Sequence, residues 1–395
     1  MHRKKIAILI NSLYAGGAER VVANMLFTLS DEFDVHLLLL RDEIDYPIPA
    51  GQKIDFLSSE RMGGSEAGVN LVRLPLIANR LRNYCAENEI ELVISFLNRP
   101  NLAAGLAKIL GLRAKVVMSE RVYTPLFYDK ATLRGKIGGR LISWLYRYAD
   151  AIVPNSEGTK NALVNIYGIK SKYFVATNQI SLRETKANKI EAVSEVQFNC
   201  FTFICVAGFR EQKNHKLLIE AFANLHDQNA KLLLIGKGPT LQDTRDFVAK
   251  LGLTESVVFL GHQSNPHKYI AKSQCFVLPS DFEGFPNVLL EALACGVPVI
   301  STDCLTGPRE LLAPSTTGKI PPNTFLQGDY GMLVPVSDVT AMTVAMSEMA
   351  TDSNLRKRYS SAAVRRALDF DQDTRPNPFR YVIASVIEGR DFESQ

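Results

Sequence analysis

The stretch from Cys275 to Ile300 limits the possible folds more than any other part of the chain. It holds an apolar run (Cys275 to Pro279), a tight loop at Glu283-Gly-Phe-Pro-Asn287, the run Val288-Leu-Leu-Glu291-Ala-Leu-Ala-Cys295, then Gly296 and a second apolar run from Val297. Proline suits a first helical turn because the amide it lacks would have had no partner there, and glycine just past the last turn takes the left-handed cap. The spacing therefore predicts a helix with Pro286 at its first position, ending at Gly296, between two strands. Apart from Glu291, positions 288 to 294 are all apolar, so this helix must be covered on most sides.

The same alternation runs through the chain. Short apolar runs at Ile6 to Ile10, Val35 to Leu40, Leu92 to Phe96, Ala114 to Met118 and Ala151 to Val153 are separated by helical patterns near 71–88, 101–110 and 131–148. That is the pattern of a doubly wound α/β domain. After Asn178 the polar stretch Arg183 to Glu191 reads as a linker, and a second set of strands and helices opens at Phe201 to Ala207. The organisation predicted is a first domain over 1–180, a linker over 181–198, a second domain over 199–372 and a terminal segment over 373–395.

Composition excludes several function classes. A chain of 395 residues has room for two or three domains, and 46% hydrophobic with 22% charged residues is ordinary for a soluble globular protein. A net charge of +4 is too small to argue for nucleic acid. The six cysteines form no C-x-x-C pair and several sit in apolar runs, as buried hydrophobes in a reducing compartment do. Met-His-Arg-Lys-Lys before Ile6 imitates a signal peptide, but Asn11 and Ser12 interrupt the apolar run, which reads as a first strand. No apolar stretch approaches the ~20 residues that span a bilayer. The location expected is cytoplasmic.

Glu283 and Glu291 would lie about 12 Å apart if all eight intervening steps were helical, beyond the roughly 5–9.5 Å of a glycosidase carboxylate pair. Two acids at opposite ends of an extended ligand fit better, with a helix N-terminus between them as an anion site. On spacing alone, a solvated loop acid and a paired buried acid are the simpler account. The full run Glu-Gly-Phe-Pro-Asn-Val-Leu-Leu-Glu-Ala-Leu-Ala-Cys-Gly-Val-Pro-Val-Ile, however, closely resembles the signature of retaining glycosyltransferases of the GT-B fold, family 4.

That resemblance implies an α/β, GT-B architecture: two Rossmann-like doubly wound domains facing across a cleft, with a C-terminal helix crossing back to the first. It implies that Glu283 contacts donor-sugar hydroxyls, that the backbone of Phe285, Pro286, Asn287 and Val288 faces a diphosphate, and that Glu291 holds ribose hydroxyls. Arg210 and Lys213 follow a strand end and precede a helix, where a planar fork and a point charge suit a diphosphate. The family commonly carries such a pair, although its arginine often stands at the position of Gly208.

Weaker motifs extend the likeness. Asn11 to Arg20 is a strand-to-helix turn resembling a G-G-x-E, which implies that Gly16 and Gly17 let backbone approach donor phosphates or acceptor, with Glu19 on the acceptor side; the alternative is a tight turn between strand and helix. Gly236-Lys-Gly238-Pro239 resembles a G-x-G-P loop lining the nucleotide site, or is a simple turn. Where relatives place a sugar-contacting histidine, Ser119-Glu120-Arg121 stands, either facing the acceptor or forming a salt bridge. Ser301 to Glu310 resembles a stretch of bacterial members that build polysaccharides and lipid-linked oligosaccharides, with Asp303 as a turn cap and Arg309–Glu310 as a salt bridge. Asp369, Asp371 and Asp373 lack the glycine and distal glutamate of a calcium loop and read as a helix-end turn.

Lys130, Arg134, Lys136, Arg140 and Arg147 occur with no acid between 130 and 148, beside a stripe of Leu133, Ile137, Leu141, Trp144, Leu145 and Tyr148. Such a helix lies in an anionic membrane interface or packs its stripe on the sheet. The function expected is retaining transfer of a hexose or N-acetylhexosamine from a UDP-sugar to a glycan or lipid-linked glycan acceptor, without metal or other cofactor, at or near the inner face of the cell membrane. The alternatives are a UDP-sugar epimerase of the same architecture and a non-catalytic nucleotide-sugar-binding protein.

Overall fold

The computed structural model describes residues 3–14, 16–58, 73–126, 132–225 and 229–389. The chain divides into two compact units, Met1–Asn178 with Pro376–Gln395, and Gln179–Arg375.

The first unit contains β1 (Lys4–Ile10), α1 (Gly17–Leu29), β2 (Phe33–Leu39), β3 (Lys53–Phe56), α2 (Leu74–Glu87), β4 (Leu92–Phe96), α3 (Asn98–Ile109), β5 (Lys115–Glu120), α4 (Leu133–Leu145), β6 (Ala151–Pro154) and α5 (Glu157–Tyr167). Its sheet runs β3-β2-β1-β4-β5-β6 with every pair parallel. Strand residues point alternately to opposite faces, and β1 shows the result. Ile6, Ile8 and Ile10 join the core under α1, while Ala7 and Leu9 join the core under α2 and α3. Both faces are therefore buried, which is why β1 reads as a continuous apolar run.

The second unit contains α6 (Leu182–Asn188), β7 (Thr202–Val206), α7 (His215–Ala223), β8 (Lys231–Ile235), α8 (Leu241–Lys250), β9 (Val257–Gly261), α9 (His267–Ile270), β10 (Cys275–Leu278), α10 (Asn287–Cys295), β11 (Val299–Thr302), α11 (Pro308–Leu312), β12 (Leu326–Gln327), β13 (Met332–Val334), α12 (Val339–Thr351) and α13 (Ser353–Leu368). The sheet order is β12-β13-β11-β10-β7-β8-β9, parallel except for β12. Val277 of β10 faces one core, and Phe276 and Leu278 face the other together with most of α10. Gly296 takes φ 77° and ψ 27° and ends α10, and Val297 N–H reaches back to Ala292 O. Pro286 stands one place earlier than predicted, at the N-cap, because its extended ψ of 108° lies outside the helical region.

The final helix, α14 (Pro378–Glu388), belongs to the first unit. Phe379, Val382 and Ile383 pack with Ile6 and Ile8, and Asn377 donates to Thr28 Oγ1 at 2.8 Å. The stretch read as a linker is instead structured within the second unit: Ile180 and Val196 are buried in its core, Leu182 packs against it, and Ser181 caps α6. Its few apolar residues are spread too thinly through polar sequence to show a period. Asp371 and Asp373 accept from the first amides of α6 and from Ser181. No helix among the described residues is long and apolar enough to cross a membrane.

Candidate active site

Between β10 and α10 the chain makes a loop without helix or strand, and Glu283 lies on it. Its side chain is only 8% exposed, and one of its oxygens holds two donors. Lys213 Nζ donates to Glu283 Oε1 at 2.5 Å, and Ser280 Oγ donates to the same oxygen at 2.7 Å. Lys213 arrives from the short turn before α7. That turn is fixed by Asn214, whose left-handed backbone (φ 42°) reverses the chain, whose Oδ1 caps α7 at Leu217 N–H, and whose Nδ2 donates to Asp281 Oδ1 at 2.8 Å. Gln212 donates to Phe282 O at 2.7 Å. Acid and cation are thus brought from loops 70 residues apart into direct contact.

α10 begins beside this pair, with no side-chain cap from Pro286. The aligned peptide dipoles give such an end partial positive charge. Phe285 is buried against Phe370 at 5.7 Å between ring centroids, and Val288 packs beside the same core. Glu291, two turns of sequence further, is 6% exposed and lies 3.9 Å from His267 Nε2. His267 also meets Asn188 Nδ2 at 3.4 Å.

The other predicted residues are placed variously. Arg210 is exposed while its neighbour Phe209 is buried and stacks on His215. Burial brings the His215 imidazole down to about 4, so it is neutral at physiological pH. Gly236 and Gly238 have φ of 152° and 159°, and a Cβ on them would fall 2.0 Å from Ala207 O and 2.2 Å from Phe209 O. Close packing against their own unit's backbone therefore requires both glycines before any ligand is considered. At Gly16 a Cβ would meet Glu19 Oε2 at 2.2 Å. The Glu19 carboxylate folds over the start of α1.

Glu120 and Arg121 are buried, neither facing solvent as an acceptor-contacting pair would, nor with each other as sole partners. Tyr146 Oη donates to Glu120 Oε2 at 2.6 Å, and Arg121 donates to Ala176 O at 2.8 Å and to Asn178 Oδ1. Burial raises the Glu120 carboxyl to about 7 and brings Arg121 down to about 9. Arg309 pairs with Asp303 where the sequence suggested Glu310. On α4, Lys136 and Arg140 are exposed, as is Arg147 in the turn that follows, together with Ile137 (52%), Trp144 (44%) and Tyr148 (38%); Ile142 and Leu145 face the core. The apolar stripe is divided between core and surface. Lys130 lies outside the described residues.

Sequence reasoning missed Ser280, Thr306 and His267 as partners of the two acids, and the Asn214–Asp281 bond that ties their loops. Only Ser280, three residues before Glu283, carried a local signal.

Two doubly wound domains, with an acid, a cation and a helix end gathered at the carboxyl edge of the second sheet, define a GT-B type protein. Family models agree: Glycosyl transferases group 1 matches residues 188–366, and Glycosyltransferase Family 4 matches 15–184. The chain is 35% identical over 370 residues to the N-acetylgalactosamine-N,N'-diacetylbacillosaminyl-diphospho-undecaprenol 4-alpha-N-acetylgalactosaminyltransferase of Campylobacter jejuni, covering 93% of this chain and 96% of the relative. Among solved structures, sucrose-phosphate synthase from Thermosynechococcus elongatus superposes with a TM-score of 0.81 at 16% identity, covering 98% of this chain and 100% of that one. Anabaena HepE in complex with UDP-glucose gives 0.73 at 18% identity, covering 96% and 99%. The chain belongs to the family 4 glycosyltransferases and is a glycosyltransferase of bacterial glycan assembly.

Proposed function

We propose that the protein transfers a hexose or N-acetylhexosamine, with retention at the anomeric carbon, from a UDP-sugar to a lipid-linked glycan. The observation that carries this reading is the 2.5 Å contact of Lys213 with Glu283 beside the start of α10. A cation and an acid so placed suit the two ends of a sugar diphosphate. Departure of the nucleoside diphosphate is the difficult step, and fixed positive groups near the developing charge lower its barrier. Lys213, Arg210 and the amides opening α10 supply that charge without a divalent metal, Glu283 orients the sugar hydroxyls, and Glu291 holds the ribose. The acceptor hydroxyl attacks from the leaving-group face, and a donor phosphate oxygen takes its proton.

The donor reading draws support from HepE, solved with UDP-glucose, and the acceptor reading from the Campylobacter relative, whose name describes transfer to a diphospho-undecaprenol-linked sugar. The exposed Ile137, Trp144 and Tyr148 amid Lys136, Arg140 and Arg147 suit an anionic bilayer surface, where aromatic rings sit at headgroup level. The protein then works as a peripheral enzyme on the inner membrane face.

The test combines purified protein, a panel of UDP-sugars and undecaprenyl-diphosphate-linked acceptors in EDTA, with products read by mass and anomeric configuration by NMR. A product that forms only when both reactants are present, with the donor's configuration kept, supports the reading. Free epimerised sugar nucleotide from donor alone would replace it with epimerisation, and binding without turnover would leave a binding module.

A further inference from the structure

Residues 279–286 form neither helix nor strand, so the aim of Glu283 depends on hydrogen bonds from elsewhere in the second unit. One side of the loop is held by Gln212 and Asn214, described above. The other side is held by the segment leaving β11. Thr302 Oγ1 donates to Ser280 O at 2.5 Å, and Thr306 Oγ1 donates to the carbonyl oxygen of Glu283 itself. Thr306 is 2% exposed. Gly307 follows with φ 87°, and a Cβ there would fall 2.7 Å from Pro286 Cδ and 2.8 Å from Gly284 O. The two loops are thus in van der Waals contact along the residues that carry the acid.

We propose that Thr306 is a positioning residue for the donor-sugar carboxylate: by holding the Glu283 carbonyl it sets where that side chain points, without touching ligand. The inference rests on the role proposed above for Glu283. Its physical basis is that the loop has no ladder of its own. Removing one buried donor frees the Glu283 peptide to shift, and the contact with Lys213 tolerates little displacement. Lys213 comes from the turn before α7 and Glu291 lies within α10, and neither bonds the Thr306 hydroxyl, so nucleotide binding is expected to persist without it.

Thr306→Val removes the hydroxyl and keeps the shape; Thr306→Ser restores the hydroxyl. With the full chain, Thr306→Val is expected to lose about tenfold to a hundredfold in kcat while UDP affinity by calorimetry stays within about threefold, and Thr306→Ser to stay within about threefold on both counts. A crystal structure of Thr306→Val is expected to show the Lys213–Glu283 contact broken. Turnover of Thr306→Val within about threefold of the parent, or an unchanged Lys213–Glu283 contact in its crystal structure, overturns the inference. Equal losses of kcat and UDP affinity in both variants also overturn it, since they mark a stability effect. If the parent transfers no sugar at all, the glycosyl-transfer reading has failed, and the crystallographic comparison still decides the positioning role.

Discussion

Glu283→Gln should tighten the binding of UDP while abolishing most turnover. In the resting protein Lys213 is already bound to Glu283 at 2.5 Å, with the two side chains 20% and 8% exposed. An incoming diphosphate must share that cation and also meets the carboxylate's negative charge. Two unit charges about 7 Å apart interact by ~0.6 kcal/mol in water and ~2.4 kcal/mol at an effective dielectric of about 20. Neutralising Glu283 should therefore improve UDP affinity by ~1 kcal/mol, roughly fivefold. Turnover should fall by about a hundredfold or more, because glutamine keeps the shape and loses the charge-assisted hydrogen bond to the sugar. Isothermal titration with UDP, beside steady-state kinetics on the donor found by the panel, measures both. Lys213→Met serves as the opposing control, in which UDP binding weakens. Weaker UDP binding by Glu283→Gln, in step with its loss of kcat, would show that the acid supports nucleotide binding and does not compete with the diphosphate for Lys213.

Glu291→Ala should weaken UDP itself by about tenfold through loss of two hydroxyl contacts; unchanged UDP affinity would remove Glu291 from the ribose. Glu120 gives a pH prediction. Its carboxyl is raised by burial from near 4.5 to about 7, so the unfolded chain ionises first and stability falls as pH rises between those values. The parent should lose ~3 kcal/mol or less across that window, and Glu120→Gln should flatten the slope in a series of urea melts; an equal slope in both proteins would refute the assignment. Charge reversal of Lys136, Arg140 and Arg147 should release the protein from anionic vesicles in a flotation assay, each cation contributing about 1 kcal/mol near the surface. Equal flotation of parent and variant would leave those residues as ordinary surface.

The fold was legible because parallel strands buried on both faces announce themselves as unbroken apolar runs, as at Ile6 to Ile10 and Leu232 to Ile235, and because Pro286 and Gly296 bracket α10. The placement of α6 was not legible. Thr185 is buried on α6, against which α9 and α10 pack, and Ile180 is buried where it pairs with Asp371, while their polar neighbours give no period. Within the site, Glu283 and Lys213 could be named from the resemblance, but their contact could not, since no local spacing joins residues on separate loops. The placement of the Glu19 side chain against Gly16 was not legible either, since nothing in the glycine pair says where an acid three residues along will turn. Burial at the end of β5 likewise depends on Tyr146 arriving from the turn after α4, which sequence position alone does not reveal.

The dependence of the first unit on α14 has a consequence for how the molecule is made. Its N-terminal residues leave the ribosome early, yet the face that carries Ile6 and Ile8 is completed only when Phe379, Val382 and Ile383 emerge. The intervening unit is contiguous and has all its elements beforehand. During synthesis an apolar face therefore waits with only α1 over it for nearly 200 residues, and a nascent chain stalled before α14 is the species a chaperone would meet.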